Sequence, residues 1–166
     1  MARVNSPRRT ISHGAGLEAT ALDHHWFGEE HLLLALLGAE PDSPEVRALT
    51  DLGITHDRVT SALLARIEQS GPPTPKEYDG ALSYSSYHTV TGRAEGLALG
   101  TGAAVPDARH YLPAILWDDS GTVAGLLADL GISRHDALAV AGDLAAVVPQ
   151  TIIHNPLVAP AERQAL

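Results

Sequence analysis

The sequence predicts an all-α chain built from two tandem, pseudo-symmetric four-helix repeats, eight helices in all. Three observations carry this expectation. The chain repeats itself: Glu30-His31-Leu32-Leu33-Leu34-Ala35-Leu36-Leu37 answers to Arg109-His110-Tyr111-Leu112-Pro113-Ala114-Ile115-Leu116 at an offset of 79, and Asp51-Leu52-Gly53-Ile54 to Asp129-Leu130-Gly131-Ile132 at 78. One gap, in a polar turn where gaps are tolerated, reconciles the two spacings. Apolar residues recur at helical spacing and no window alternates as a half-buried strand does. Finally, 45% hydrophobic content in 166 residues suffices for a core, and with aromatics at 4% that core is made of Leu, Ala, Val and Ile.

Each element follows in order. Residues 7–22 read as a first helix, weakened by Gly14 and Gly16. Gly28 opens a second, with Glu29 and Glu30 in a first turn where acids suit the helix dipole. That helix is apolar around most of its surface, which marks it as the buried centre of the unit. Ser43 and Pro44 supply an N-cap and first-turn proline for a third helix that stops at Gly53. Thr55 caps a fourth, with Val59, Ala62, Leu63 and Ile67 along one face. Ser70-Gly71-Pro72-Pro73-Thr74-Pro75 cannot be helical and begins a linker. The second unit repeats the plan over residues 84–99, 109–117 and 122–130, and Ser133 with Asp136 resembles a capping box for the last helix. The expected organisation is unit one over residues 1–69, a linker over 70–83, unit two over 84–147 and a tail over 148–166, the two units forming one domain.

Composition excludes several classes of function. Without cysteine there is no disulfide framework, thiolate metal site or cysteine nucleophile, which fits a reducing compartment. No apolar run approaches the roughly 18 residues of a membrane span. Arg3, Arg8 and Arg9 precede no apolar stretch, as a secretory signal would require, so a cytoplasmic location and no membrane partner are expected. The net charge is −9 and the arginines are scattered, which argues against nucleic acid as a partner. No Gly-x-x-x-x-Gly-Lys-(Ser/Thr) loop occurs, and Lys76 has no flanking glycines, so ATP hydrolysis is excluded. Serines sit at caps or in Ser83-Tyr84-Ser85-Ser86, with no Gly-x-Ser-x-Gly elbow. A non-enzymatic chain without cofactor is expected.

Nine histidines raise a metal reading, since His24, His25, Glu29, Glu30 and His31 lie close together and imidazole with carboxylate suits zinc. No His-x-x-x-His or His-Glu-x-x-His pair places two ligands on one helical face, however. His31 and His110 occupy equivalent repeat positions, which reads better as a structural histidine in each unit. A metal-dependent enzyme using the His24 to His31 cluster is the distant alternative, and no metal site is assigned.

The run His24-His25-Trp26-Phe27-Gly28-Glu29-Glu30-His31-Leu32-Leu33-Leu34-Ala35-Leu36, with the Leu-Gly-Ile block and a second copy of both, resembles the Clp N-terminal repeat domain. That double four-helix domain receives substrates at the front of ClpA/ClpC-type AAA+ unfoldases, and the likeness covers about residues 4–147. Without a phosphate-binding loop, this chain resembles the receptor standing alone. The resemblance implies a small polar pocket at the start of the second helix that holds phosphoarginine, an amide-lined helix end for the phosphate and a carboxylate for the guanidinium. Glu30 and His31 match it, while Glu29 replaces the family's Thr; in unit two only His110 matches, because Arg109 replaces Glu and Pro113 disturbs the helix. The other reading of Glu29 and Glu30 is that of favourable first-turn acids.

The resemblance also implies an apolar groove between the first helix and the start of unit two, where relatives take up cyclic peptide antibiotics. Ser12, His13, Gly16 and Tyr84 fall there, as groove or as ordinary packing. The implied function is binding of a peptide, an adaptor or a peptide-like natural product, as a decoy for Clp-directed cyclic peptides or an accessory of the Clp ATPase and protease. A scaffold that docks on a Clp hexamer without small ligand is the alternative. Any inherited polar pocket is expected in the first copy.

Overall fold

The two segments that carry the first block of the repeat become the two central helices. The computed structural model describes residues 11–39, 42–71, 76–78, 81–83, 85–118 and 121–144. Unit one contains α1 (Ile11–Ala21), α2 (Glu29–Ala39), α3 (Pro44–Asp51) and α4 (His56–Ser70). Unit two contains α5 (Ser85–Gly100), α6 (Ala108–Leu116), α7 (Thr122–Asp129) and α8 (Arg134–Leu144). Helix α2 is buried without interruption from Glu29 to Leu37, and α6 buries all but Arg109 and Pro113. The two central helices pack on each other, α2 also meets α5 and α7, and α6 meets α3. A single apolar cluster therefore runs through both units, from Ile11 through Leu34 to Leu112 and Leu127.

Matching backbone hydrogen bonds fix the internal symmetry. His24 N donates to Ala19 O as Ala103 N does to Ala98 O, and Ile54 N donates to Leu49 O as Ile132 N does to Leu127 O. Gly53 (φ 89°) and Gly131 (φ 71°) both turn the chain out of a helix through the left-handed region, which glycine enters without a Cβ penalty. At the other end of α3, Ser43 Oγ accepts from Val46 N at 3.3 Å, with Pro44 in the first turn as expected. Thr55 caps α4 through Arg58 N, and Ser133 Oγ accepts from Asp136 N. Pro113 lies inside α6, which begins at Ala108, so the helix forgoes the bond to the Arg109 carbonyl.

Two boundaries differ from the sequence expectation. Helix α4 continues to Ser70, and within the expected linker Lys76–Tyr78 (β1) pairs antiparallel with Ala81–Ser83 (β2). The register is Lys76 to Ser83, Glu77 to Leu82 and Tyr78 to Ala81. No window of the sequence alternates as a half-buried strand does, because three-residue strands are too short for alternation to show. The intervening Asp79-Gly80 is, in sequence, a strong two-residue hairpin signal. The expected tail, residues 148–166, lies outside the described residues. Among the described residues no helix is long and apolar enough to cross a membrane.

Candidate functional site

The turn that leads into α2 gathers most of the polar residues singled out in the sequence. His31, fully buried, accepts a hydrogen bond at Nδ1 from Gly28 N at 3.0 Å. Its remaining ring proton therefore sits on Nε2, which faces His24 Nδ1 at 2.9 Å. His24 stacks on Trp26, centroids 4.1 Å apart, and the Trp26 indole N–H donates to Glu30 Oε1 at 3.0 Å. The other oxygen, Glu30 Oε2, is buried without a partner. Burial pushes the Glu30 carboxyl up to about 7 and the His31 imidazole down to about 3. The 3.7 Å approach of Glu30 Oε1 to His31 Nδ1 is thus a contact between groups that both favour the neutral state, rather than an ion pair.

Unit two repeats the histidine but not the acids. Asp107 N donates to His110 Nδ1 at 3.0 Å, and His110 Nε2 lies 2.8 Å from Thr101 Oγ1. Each unit thus contains a buried histidine that ties its helix to the preceding turn. Arg109, in the place of Glu30, folds back onto the N-cap residue of its own helix, its guanidinium 3.0 and 3.2 Å from Asp107. Asp107 and His110 also complete a capping box that the sequence reading missed.

Glu29 does something that neither reading of it anticipated. Its carboxylate crosses from unit one to the start of α7, where Oε1 accepts from Val123 N at 3.0 Å. Helix α7 has no cap of its own, because Gly121 stands where unit one has Ser43. A Cβ on Gly121 would collide with Glu29 Oε1. Burial raises the Glu29 carboxyl above its ordinary range, opposed by the amides of Val123 and Thr122. The two acids and the imidazole at the start of α2 therefore serve different partners, and among the described residues no three such side chains converge as a metal site would need.

Two of the expected groove residues, Ser12 and Gly16, lie at a second seam. Ser12 Oγ lies 2.6 Å from Tyr87 Oη, joining the first helices of the two units. Below them Phe27 lies 6.1 Å from the Tyr87 ring, and a Cβ on Gly16 would touch Phe27 at 3.7 Å. His13 is exposed on the same helix. Tyr84 lies outside the described residues; Tyr87, three residues on in α5, is the aromatic that meets Ser12. Sequence reasoning also passed over Trp26 and Phe27 as individual contributors, although both fall within the run that carried the family resemblance.

Two four-helix units related by this register, each with a buried histidine in the first turn of its central helix, form a distinctive arrangement. The model of the Clp repeat (R) N-terminal domain family matches residues 9–130. The chain belongs to that family. Among solved structures, the N-terminal domain of the caseinolytic protease associated chaperone ClpD from Arabidopsis thaliana is similar, with a TM-score of 0.64 and 22% identity. The match covers 82% of this chain and 90% of that one, and at this identity it establishes the shared Clp N-domain fold. A comparison with curated proteins finds no match. In general terms, then, this is a binding module of the Clp type.

Proposed function

We propose that this Clp N-type domain is a non-catalytic receptor for a peptide or peptide-like ligand, taken up at the seam between α1 and α5. The observation that carries the reading is the Ser12–Tyr87 contact, 2.6 Å across the unit boundary, with the half-buried Phe27 ring beneath it. An apolar platform edged by hydroxyls suits a peptide backbone flanked by apolar side chains. The start of α2 supports a phosphoarginine less well. Glu29 is engaged by α7, and Glu30 gives one oxygen to Trp26 while the other is fully buried in a site where burial favours the neutral carboxyl, a poor partner for a guanidinium. An apolar cyclic peptide is the favoured ligand, which makes the domain a decoy for Clp-directed antibiotics or an accessory of the Clp machinery.

Calorimetric titration with a Clp-directed cyclic peptide and with phosphoarginine tests this. Cyclic-peptide binding that weakens about tenfold or more in Tyr87→Ala, and measurably in the gentler Tyr87→Phe, is the expected result. Heat from phosphoarginine alone would move the site to Glu30 and His31. Silence with both ligands would overturn the receptor reading in favour of a scaffold that docks on a Clp hexamer.

A further inference from the structure

The two units differ at the C-terminal end of their central helices, and the difference describes a ligand. In unit two this end carries two arginines. Arg93 of α5 lies over the Trp117 ring, 5.8 Å from its centroid, with Nη1 3.5 Å from Ala114 O. Arg134 donates to Leu116 O at 3.0 Å and to Trp117 O at 2.7 Å. Cations belong there, because the last carbonyls of a helix lack intrahelical partners and carry the negative end of its dipole.

By the offsets of the repeat, Arg93, Trp117 and Arg134 correspond to Gly14, Gly38 and His56. The structure confirms the register, since Gly14 sits against Ala35, the counterpart of Ala114. Removing the guanidinium and the indole leaves a groove of about 310 Å³ between α1 and the end of α2, lined by Ile11, Gly14, Leu17, Glu18, Ala35 and Gly38 among others. That volume is at the small end of ligand pockets, ~300–1,000 Å³. Leu17, 42% exposed, forms one wall. Glu18 forms the other and holds the His56 imidazole at 3.0 Å. The groove thus adds a carboxylate to the negative end of a helix, in place of the cation pair that occupies its twin.

We infer that this groove binds an arginine side chain presented by a peptide partner. The guanidinium takes the place that Arg93 fills in unit two, its planar face against the apolar wall and its donors toward Glu18 and the α2 terminus. The groove lies on a different face of α1 from Ser12 and Gly16, so it is a second contact, independent of the α1–α5 seam.

The test is amide chemical-shift mapping of the isotopically labelled full chain, titrated with N-acetyl-arginine amide and, separately, with its uncharged citrulline counterpart. A single side chain binds at about 1 mM or weaker, a range this method reads. Saturable shifts at Gly14, Leu17, Gly38 and Ala39 with the arginine probe alone are expected. Glu18→Gln should weaken them several-fold. Gly38→Trp, which restores the plug residue of unit two and whose Cβ meets only the tips of Glu18 and His56, should abolish them. Equal response to citrulline, no saturable shift, or shifts confined to Trp26 and Glu30 or to Tyr87 would each overturn the inference. Because the seam is read out at Tyr87 with a different ligand, either proposal can fail while the other stands.

Discussion

The cap that Glu29 lends to α7 makes a prediction in which two damaging substitutions repair each other. Glu29→Ala removes the acceptor at 3.0 Å from Val123 N, a residue almost completely buried, so the freed amide has little access to water. Losing a cap costs about 0.5–2 kcal/mol, and a buried unpaired donor about 1–3 kcal/mol. Against this stands relief from burying a carboxylate, since burial holds the Glu29 carboxyl above its ordinary range. A net loss of about 1–2 kcal/mol follows, or a fall in Tm of roughly 3–6 °C for a chain of this size. Gly121→Ser alone is also destabilising, because the new Cβ meets Glu29 Oε1. Combined with Glu29→Ala, however, the new hydroxyl can cap α7 through Ala124 N, as Ser43 caps α3 through Val46 N, or through Val123 N itself. The double variant should be about 1 kcal/mol more stable than the sum of the single losses. Urea midpoints of the parent, both single variants and the double variant decide the matter. Additive losses would refute the shared-cap account.

Other consequences are equally open to measurement. The pH dependence has two limbs of opposite sign. Glu30, raised by burial from 4.5 to about 7, contributes stability that is complete below 4.5 and lost as pH rises through 7, roughly 3 kcal/mol in all. His31, lowered by burial from 6.5 to about 3, contributes stability present above 6.5 and lost as pH falls. The two windows overlap between 4.5 and 6.5, where their slopes oppose. Denaturation between about pH 3 and about pH 8 should therefore show Glu30→Gln abolishing the fall in stability near pH 7 and unmasking a rise from 4.5 to 6.5. At the matched helix ends, Gly131→Ala should cost about 1 kcal/mol from left-handed strain alone. Gly53→Ala should cost more, because the Arg58 guanidinium that donates to Gly53 O at 2.9 Å must also move aside; paired thermal melts would show the order.

What could be read in the sequence was what is encoded locally or twice. Ser43-Pro44, Thr55 and the two Leu-Gly-Ile blocks each carry a mechanism that acts within a few residues, and the structure uses them as caps and turns. The repeat made His31 and His110 legible as a pair, because a histidine in the same place twice is explained by what the places share. The acids of α2 were not legible. Glu29 finds its partner 94 residues away, and the single hint was that the counterpart of Ser43 is a glycine. Arg109 stood out only as a mismatch to a ligand-binding acid, yet a neighbouring Asp107 takes up its charge. Tyr87, which the sequence reading did not single out, meets Ser12 from 75 residues away. Partners set by tertiary packing leave no trace in spacing.

The borrowed cap also bears on how such a doubled chain ages. When a gene duplicates in tandem, each copy begins with a full set of its own parts, and either might in principle be discarded. Here one copy has a serine at the end of a helix and the other a glycine whose deficit is met by a glutamate in its sibling. Once that exchange is made, the glycine cannot regain a side chain without first evicting the glutamate, and the glutamate cannot leave without exposing the glycine. Divergence then acts as a ratchet: each copy becomes a component of the other, and the pair is inherited or lost as one.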